Sequence, residues 1–161
     1  MRERQSKLGI RPPGDGTAVV HLRLGDVVRH ALTEEAWGVI DDREALWKKG
    51  TKYLLNSDYY TSCAGKMRSS PPAIDAVTIV YSHSHGLDLE IPDSVAYRDM
   101  VAKVFSSSGL SVTYRSDGTP DDDFVYMCSA KSFVQGGGGY SEIAARCSER
   151  YHNTEGVLCG L

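Results

Sequence analysis

Six consecutive residues, Ala76-Val77-Thr78-Ile79-Val80-Tyr81, are apolar or β-branched without a break. Such a run reads as a strand, and the polar Ser82-His83-Ser84-His85-Gly86 that follows marks its carboxyl end. The pattern alternates around it. Thr17–Leu24 is a shorter apolar strand between Gly16 and Gly25, and Ser57 opens a helix that runs toward Lys66-Met67 and ends at Ser69-Ser70-Pro71-Pro72. Asp93–Phe105 reads as a helix with Val95, Met100, Val101, Val104 and Phe105 on its apolar face. Leu110–Tyr114 is a third strand, Asp121–Ala130 a helix with an acidic start, and Ser132–Gln135 a fourth strand. A glycine loop, Gly136–Gly139, leads into a last helix, Tyr140–Ser148. Strands alternating with helices predict an α/β fold with a parallel sheet flanked by helices. That architecture gathers its functional loops at one edge, here His21 to Asp26, Ser82 to His85, Ser116 to Gly118 and Gly136 to Ser141.

A chain of 161 residues is long enough for one domain with a real core. Residues 1–16, with the turn-forming Pro12-Pro13-Gly14-Asp15-Gly16, read as a flexible lead-in, and residues 17–161 as a single domain. Between the first strand and Ser57, Thr33 caps a predicted helix, and Ala45–Lys49 reads as another short helix stopped by Gly50. A net charge of −3 argues against a broad nucleic-acid or membrane surface. No run approaches the ~18 apolar residues of a membrane span. The polar start, Met1 to Lys7, lacks the apolar core of a signal peptide, and the compartment stays open. Cys63, Cys128, Cys147 and Cys159 show no CxxC spacing, which argues against zinc. Pairing of Cys147 with Cys159 in an oxidising compartment and four free thiols in a reducing one are equally ordinary readings.

Two stretches carry chemistry. In Val20-His21-Leu22-Arg23-Leu24-Gly25-Asp26 a strand runs into a turn that places a fixed cation at the strand's carboxyl end. Arginine there suits a phosphate, because its planar fork offers two donors and stays charged. The second stretch is Asp121-Asp122-Asp123-Phe124 with Met127, Ala130 and Phe133-Val134, followed by Gly136-Gly137-Gly138-Gly139-Tyr140-Ser141 and Ala144. A glycine loop before a helix start leaves backbone N–H groups for phosphate oxygens, and Ser141 adds a hydroxyl. Each has a plainer reading: a strand end with a surface arginine, and a loop whose serine caps a helix. His83 and His85 read as a polar loop ahead of a metal site. Trp37, Trp47 and Tyr59-Tyr60 read as core anchors ahead of a sugar platform.

Taken together and in order, from about residue 17 to about residue 147, these stretches resemble the fucosyltransferase superfamily, the group of α1,2-, α1,6- and protein O-fucosyltransferases. His21 to Asp26 resembles the group's first motif, His-x-Arg-Arg-Gly-Asp, and the later stretch resembles its last. The resemblance implies the C-terminal, nucleotide-sugar-binding, Rossmann-like half of a GT-B glycosyltransferase. It implies inverting transfer from GDP-fucose or another GDP-sugar to a glycan or protein acceptor, with neither metal nor cofactor. An N-terminal acceptor domain would then lie outside these residues. Carried over by position, Arg23 holds the β-phosphate and stabilises the departing GDP. His21 orients the phosphate or sugar, and Asp26 contacts the sugar or braces the turn with Gly25. Ser82 falls where the family has Ser-Asp-Asp, and Asp123 falls near the guanine. Ser141 and the Gly138-Gly139 backbone contact phosphate. The sequence departs from the pattern at Leu24, which replaces the second arginine, at Ser82-His83, which replaces paired acids, and in the glycine-rich loop. Those departures keep a second reading open, a non-catalytic nucleotide- or phosphate-binding module of the same fold. A third, an unrelated α/β enzyme with His21, His83 or His85 as base, lacks a nucleophile elbow.

Overall fold

A computed structural model of the chain describes residues 7, 9–28, 50–69, 73–82, 92–152 and 157–159. The elements in chain order are β1 (Thr17–Leu22), α1 (Ser57–Ser69), β2 (Ala76–Tyr81), α2 (Pro92–Ser107), β3 (Ser111–Arg115), α3 (Pro120–Cys128), β4 (Ser132–Val134), α4 (Gly139–His152) and β5 (Val157–Cys159). The strands form one all-parallel sheet in the order β3-β2-β1-β4-β5. β1 lies at its centre, with Thr17 to Leu22 opposite Ala76 to Tyr81 on one side and Ala18 to Val20 opposite Ser132 to Val134 on the other.

Alternation along the strands builds two cores. Ala18, Val20 and Leu22 of β1 and Val77, Ile79 and Tyr81 of β2 face α1 and α2, where they meet Tyr60, Met67, Tyr97 and Phe105. Val19, Val80 and Phe133 face the other way and meet Met127, Ala130, Ala144 and Ala145 around α3 and α4. Helices on both faces explain why β1 and β2 are continuous apolar runs. The buried tyrosines keep their hydroxyls paired: those of Tyr60 and Tyr97 lie 3.1 Å apart, and Tyr97 also donates to the Leu55 carbonyl at 2.7 Å. α3 starts where its sequence says it should. Thr119 is the cap, its Oγ1 accepting from the Asp122 N–H at 3.2 Å, Pro120 follows in the first turn, and Asp121, Asp122 and Asp123 complement the helix dipole.

Several expectations are corrected. β1 stops at Leu22 instead of Leu24, because β2 offers its last partner there and Gly25 (φ 77°) turns the chain, its N–H bound to Ser94 Oγ at 3.0 Å. α3 ends at Cys128 rather than Ala130, β4 ends at Val134, and β3 sits one residue later than expected, leaving Leu110 buried just before it. α4 runs on to His152, whose Nε2 lies 3.0 Å from the Ser129 carbonyl oxygen. The three-residue β5 was not anticipated. The cysteines pair as Cys63–Cys159 and Cys128–Cys147, so Cys147 does not meet Cys159. The sheet explains this: Cys159 and Cys63 share the α1–α2 face, whereas Cys147 lies on α4 beside the end of α3. The helices expected at Thr33 and Ala45–Lys49, and His83 and His85, lie outside the described residues.

Candidate functional site

From β1 the chain winds outward through β2 and β3, then returns to place β4 on the other side of β1 and β5 beyond it. The segments leaving β1 and β4 therefore diverge to opposite faces of the sheet. In open α/β sheets the crevice outside such a switch point is where ligands bind. The strand ends there carry Arg23 after β1 and Gly136-Gly137-Gly138 after β4.

A cleft of about 460 Å³ opens at this edge, a size suited to a small molecule. His21, Arg23, Ser82 and Asp123 line it, together with Tyr81, Gly118 and Tyr140. Residues from β1, β2, α3 and α4, separated by up to 119 positions in sequence, thus share one hollow. Gly138 (φ 91°) stands beside it, next to the Arg23 side chain. Gly25, Asp26, Gly139 and Ser141 do not line the cleft. Gly25 makes the turn after β1, Asp26 is exposed and accepts from Arg23 at 3.1 Å, and Gly139 opens α4. Ser141 is fully buried, and its Oγ accepts from the Gly136 N–H at 2.8 Å, which fixes the glycine loop from below.

The glycines are required by close approach. A Cβ on Gly136 would overlap the His21 carbonyl oxygen, and one on Gly137 would overlap the backbone of Tyr53. The loop is thereby clamped between β1 and the turn at residues 51–54, in which Thr51 Oγ1 accepts from the N–H groups of Tyr53 (3.2 Å) and Leu54 (3.0 Å). The α4 N-terminus follows directly. Its first N–H groups have no partners within the helix and carry its positive dipole end.

The charges are arranged around that loop. Arg23 gives one nitrogen to Asp26 and lies over the Tyr53 ring, 5.2 Å from its centroid, while its Nε is buried with no hydrogen-bond partner among the described residues. His21 is 8% exposed, and its Nδ1 is likewise buried without a partner. Burial, and then the Arg23 charge, hold its pKa at about 4, so the imidazole is neutral at pH 7. Asp123 accepts from Arg115 Nε at 2.7 Å. Burial nevertheless outweighs the pull of Arg115 and raises the Asp123 carboxyl above its ordinary range. The Tyr140 hydroxyl, pushed up to about 12 by burial and by Asp123 and Asp121, donates to the Pro120 carbonyl at 2.5 Å. Its ring rests on His21 and Phe124. No group of three or more His, Cys, Asp or Glu among the described residues is placed to hold a metal ion. No helix among them is long and apolar enough to cross a membrane.

Gly118 and Tyr140 lie in the loops expected at this edge, whereas Tyr81, and Tyr53 beside Arg23, were not among the candidates. Tyr140 was within reach, since it precedes Ser141 in the second chemical stretch; the Tyr53 turn carries no sequence signal pointing to β1.

No protein-family model matches the chain, and no curated protein sequence matches it. What the fold and site define is a class: a Rossmann-like, all-parallel α/β domain with a cleft at its topological switch point, mostly apolar in lining and carrying His21, Arg23, Ser82 and Asp123.

Proposed function

We propose that this domain binds the donor of a glycosyltransferase of the fucosyltransferase type, a GDP-sugar, in the switch-point cleft. The observation that carries the reading is convergence. The two stretches that resemble that superfamily, residues 20–26 and 121–141, are far apart in sequence and contribute His21, Arg23, Asp123 and Tyr140 to the same cleft. A structural accident of either stretch would not require the other to be its neighbour.

In this reading Arg23 meets the diphosphate with its guanidinium and stabilises the negative charge that grows on departing GDP. Asp26 contacts the sugar or braces the turn, and it shares the guanidinium until the diphosphate takes its place. His21, neutral, offers one donor or acceptor to the phosphate or the sugar. Asp123, held by Arg115, accepts from the base, and Ser82 contributes a hydroxyl from the end of β2. Gly138, Gly139 and the α4 start supply backbone donors, with Ser141 keeping the loop in shape. Transfer is inverting and uses no metal, and the acceptor is a glycan or a protein. The two disulfides suit an oxidising compartment, such as the secretory pathway.

Calorimetric titration with GDP, UDP and GDP-fucose tests the reading. GDP binding that disappears in Arg23→Ala, with the melting curve kept, is the expected result; undiminished GDP affinity in a folded Arg23→Ala chain refutes it. Tight GDP binding without sugar transfer to any acceptor would instead assign the non-catalytic module.

A further inference from the structure

Leu24 stands where the resembled motif has its second arginine, and its apolar side chain borders the cleft without bringing a charge to it. Leu24 is 4% exposed and packs into the core beneath α1 and α2. A diphosphate carries more negative charge than one guanidinium neutralises. The structure offers another cation close by. Lys52 Nζ lies 5.6 Å from the centroid of the Tyr53 ring, the same ring that Arg23 approaches at 5.2 Å. The two positive groups are therefore no further apart than the sum of those distances, and Lys52 and Tyr53 stand outside the residues that line the cleft.

This arrangement is built from several parts. Gly50 (φ 68°) and the Thr51 hydroxyl fold the turn that presents Lys52 and Tyr53. Gly137 presses against the Tyr53 backbone, and Gly138 lies against its ring and the Arg23 side chain. Lys52 is exposed and has no carboxylate partner among the described residues, whereas Arg23 has one nitrogen on Asp26 and a buried Nε with none. Two like charges gathered at one ring repel until an anion lies between them. His21, more than nine-tenths buried, lines the cleft, and its Nδ1 is buried without a partner. We infer that Lys52 is the second cation of the diphosphate site, in place of the arginine lost at Leu24. Arg23 and Lys52 each take one phosphoryl group, with Tyr53 setting their spacing. This inference rests on the proposed donor-binding reading.

The test is titration of the full chain with inorganic pyrophosphate, GDP and GMP, repeated on Lys52→Gln, Lys52→Arg and Arg23→Ala, each checked by its melting curve. Lys52→Gln is expected to weaken pyrophosphate and GDP about tenfold, the worth of one charge-assisted hydrogen bond. It should leave GMP within about twofold, and Lys52→Arg should restore the lost affinity. Arg23→Ala should lose all three ligands. If Lys52→Gln binds GDP as wild type does while Arg23→Ala does not, the role of Lys52 is refuted and the donor-binding reading stands. Equal weakening of GMP and GDP by Lys52→Gln also refutes it, because the lysine would then act as a diffuse field. A wild-type chain that binds neither GDP nor pyrophosphate overturns both.

Discussion

The rings of His21 and Tyr140 meet edge-on, with centroids 5.3 Å apart and planes at 63°. This contact joins the end of β1 to the first turn of α4 across the switch point, and both rings line the cleft. Because burial and Arg23 lower the His21 pKa from 6.5 to about 4, the unfolded chain takes up a proton in that window that the folded chain refuses. The stability that neutral His21 retains above pH 6.5 is therefore lost as pH falls toward 4, by up to about 3 kcal/mol. Denaturant midpoints of wild type and His21→Gln, compared from pH 7 to pH 4.5, should converge on acidification. Parallel curves would show that His21 is not a buried neutral group.

Much of the fold was legible because both faces of the sheet are covered. β2 spans the residues its composition suggests, Ala76–Tyr81, since Val77, Ile79 and Tyr81 enter one core and Val80 the other. β5 was illegible because three residues hold no periodicity, and its identity comes from pairing with Phe133 and Val134. At the site, Arg23 could be named from its residue type at a strand end, and Asp123 only from the family resemblance. The partnerless Nδ1 of His21 and the placement of Lys52-Tyr53 against Gly137 are products of tertiary packing, which no local pattern encodes. The cysteine pairs were hidden for the same reason, since the sheet decides which thiols share a face.

Removing Arg23 should harm binding far more than folding. Its ion pair with Asp26 is solvent-exposed, the Asp26 side chain being 66% accessible, so the pair contributes at most about 1 kcal/mol to stability. Arg23→Ala is expected to melt close to wild type while GDP affinity drops at least about a hundredfold, in keeping with a lost bidentate contact.

Asp26 occupies a guanidinium nitrogen that an anion would also seek. Asp26→Asn removes the competing charge, and orthophosphate affinity should rise by about threefold, more at low salt than at high. A fall in affinity instead would mean that the carboxylate is needed to aim the arginine.

The four loop glycines should not respond alike to alanine. Gly137→Ala forces a Cβ into the Tyr53 backbone, which has no rotamer to give way, and is expected to cost about 1–3 kcal/mol or more and to weaken GDP binding with it. Gly139→Ala points into open space at the start of α4 and should leave stability within about 0.5 kcal/mol. Thermal melts of the two variants side by side read the difference.

The two disulfides should differ in weight. Cys63–Cys159 spans 96 positions and Cys128–Cys147 spans 19, so opening the first releases more chain entropy on the loop-closure model. Cys63→Ser is expected to lower stability by about 2–5 kcal/mol, and Cys128→Ser by somewhat less. Denaturant unfolding of each variant under non-reducing conditions measures both.

The Cys63–Cys159 bond also divides the molecule unequally. It closes a covalent loop that contains β2, β3, β4 and β5, while β1 stays outside that loop although it sits between β2 and β4. β1 is thus held between β2 and β4 by strand pairing and packing, with the covalent loop closed around its neighbours and not around it. The cleft exists only once β1 is in place, because His21 and Arg23 arrive with it. A peptide carrying residues 9–28, offered in trans to the remainder, is the minimal unit whose docking would assemble the site.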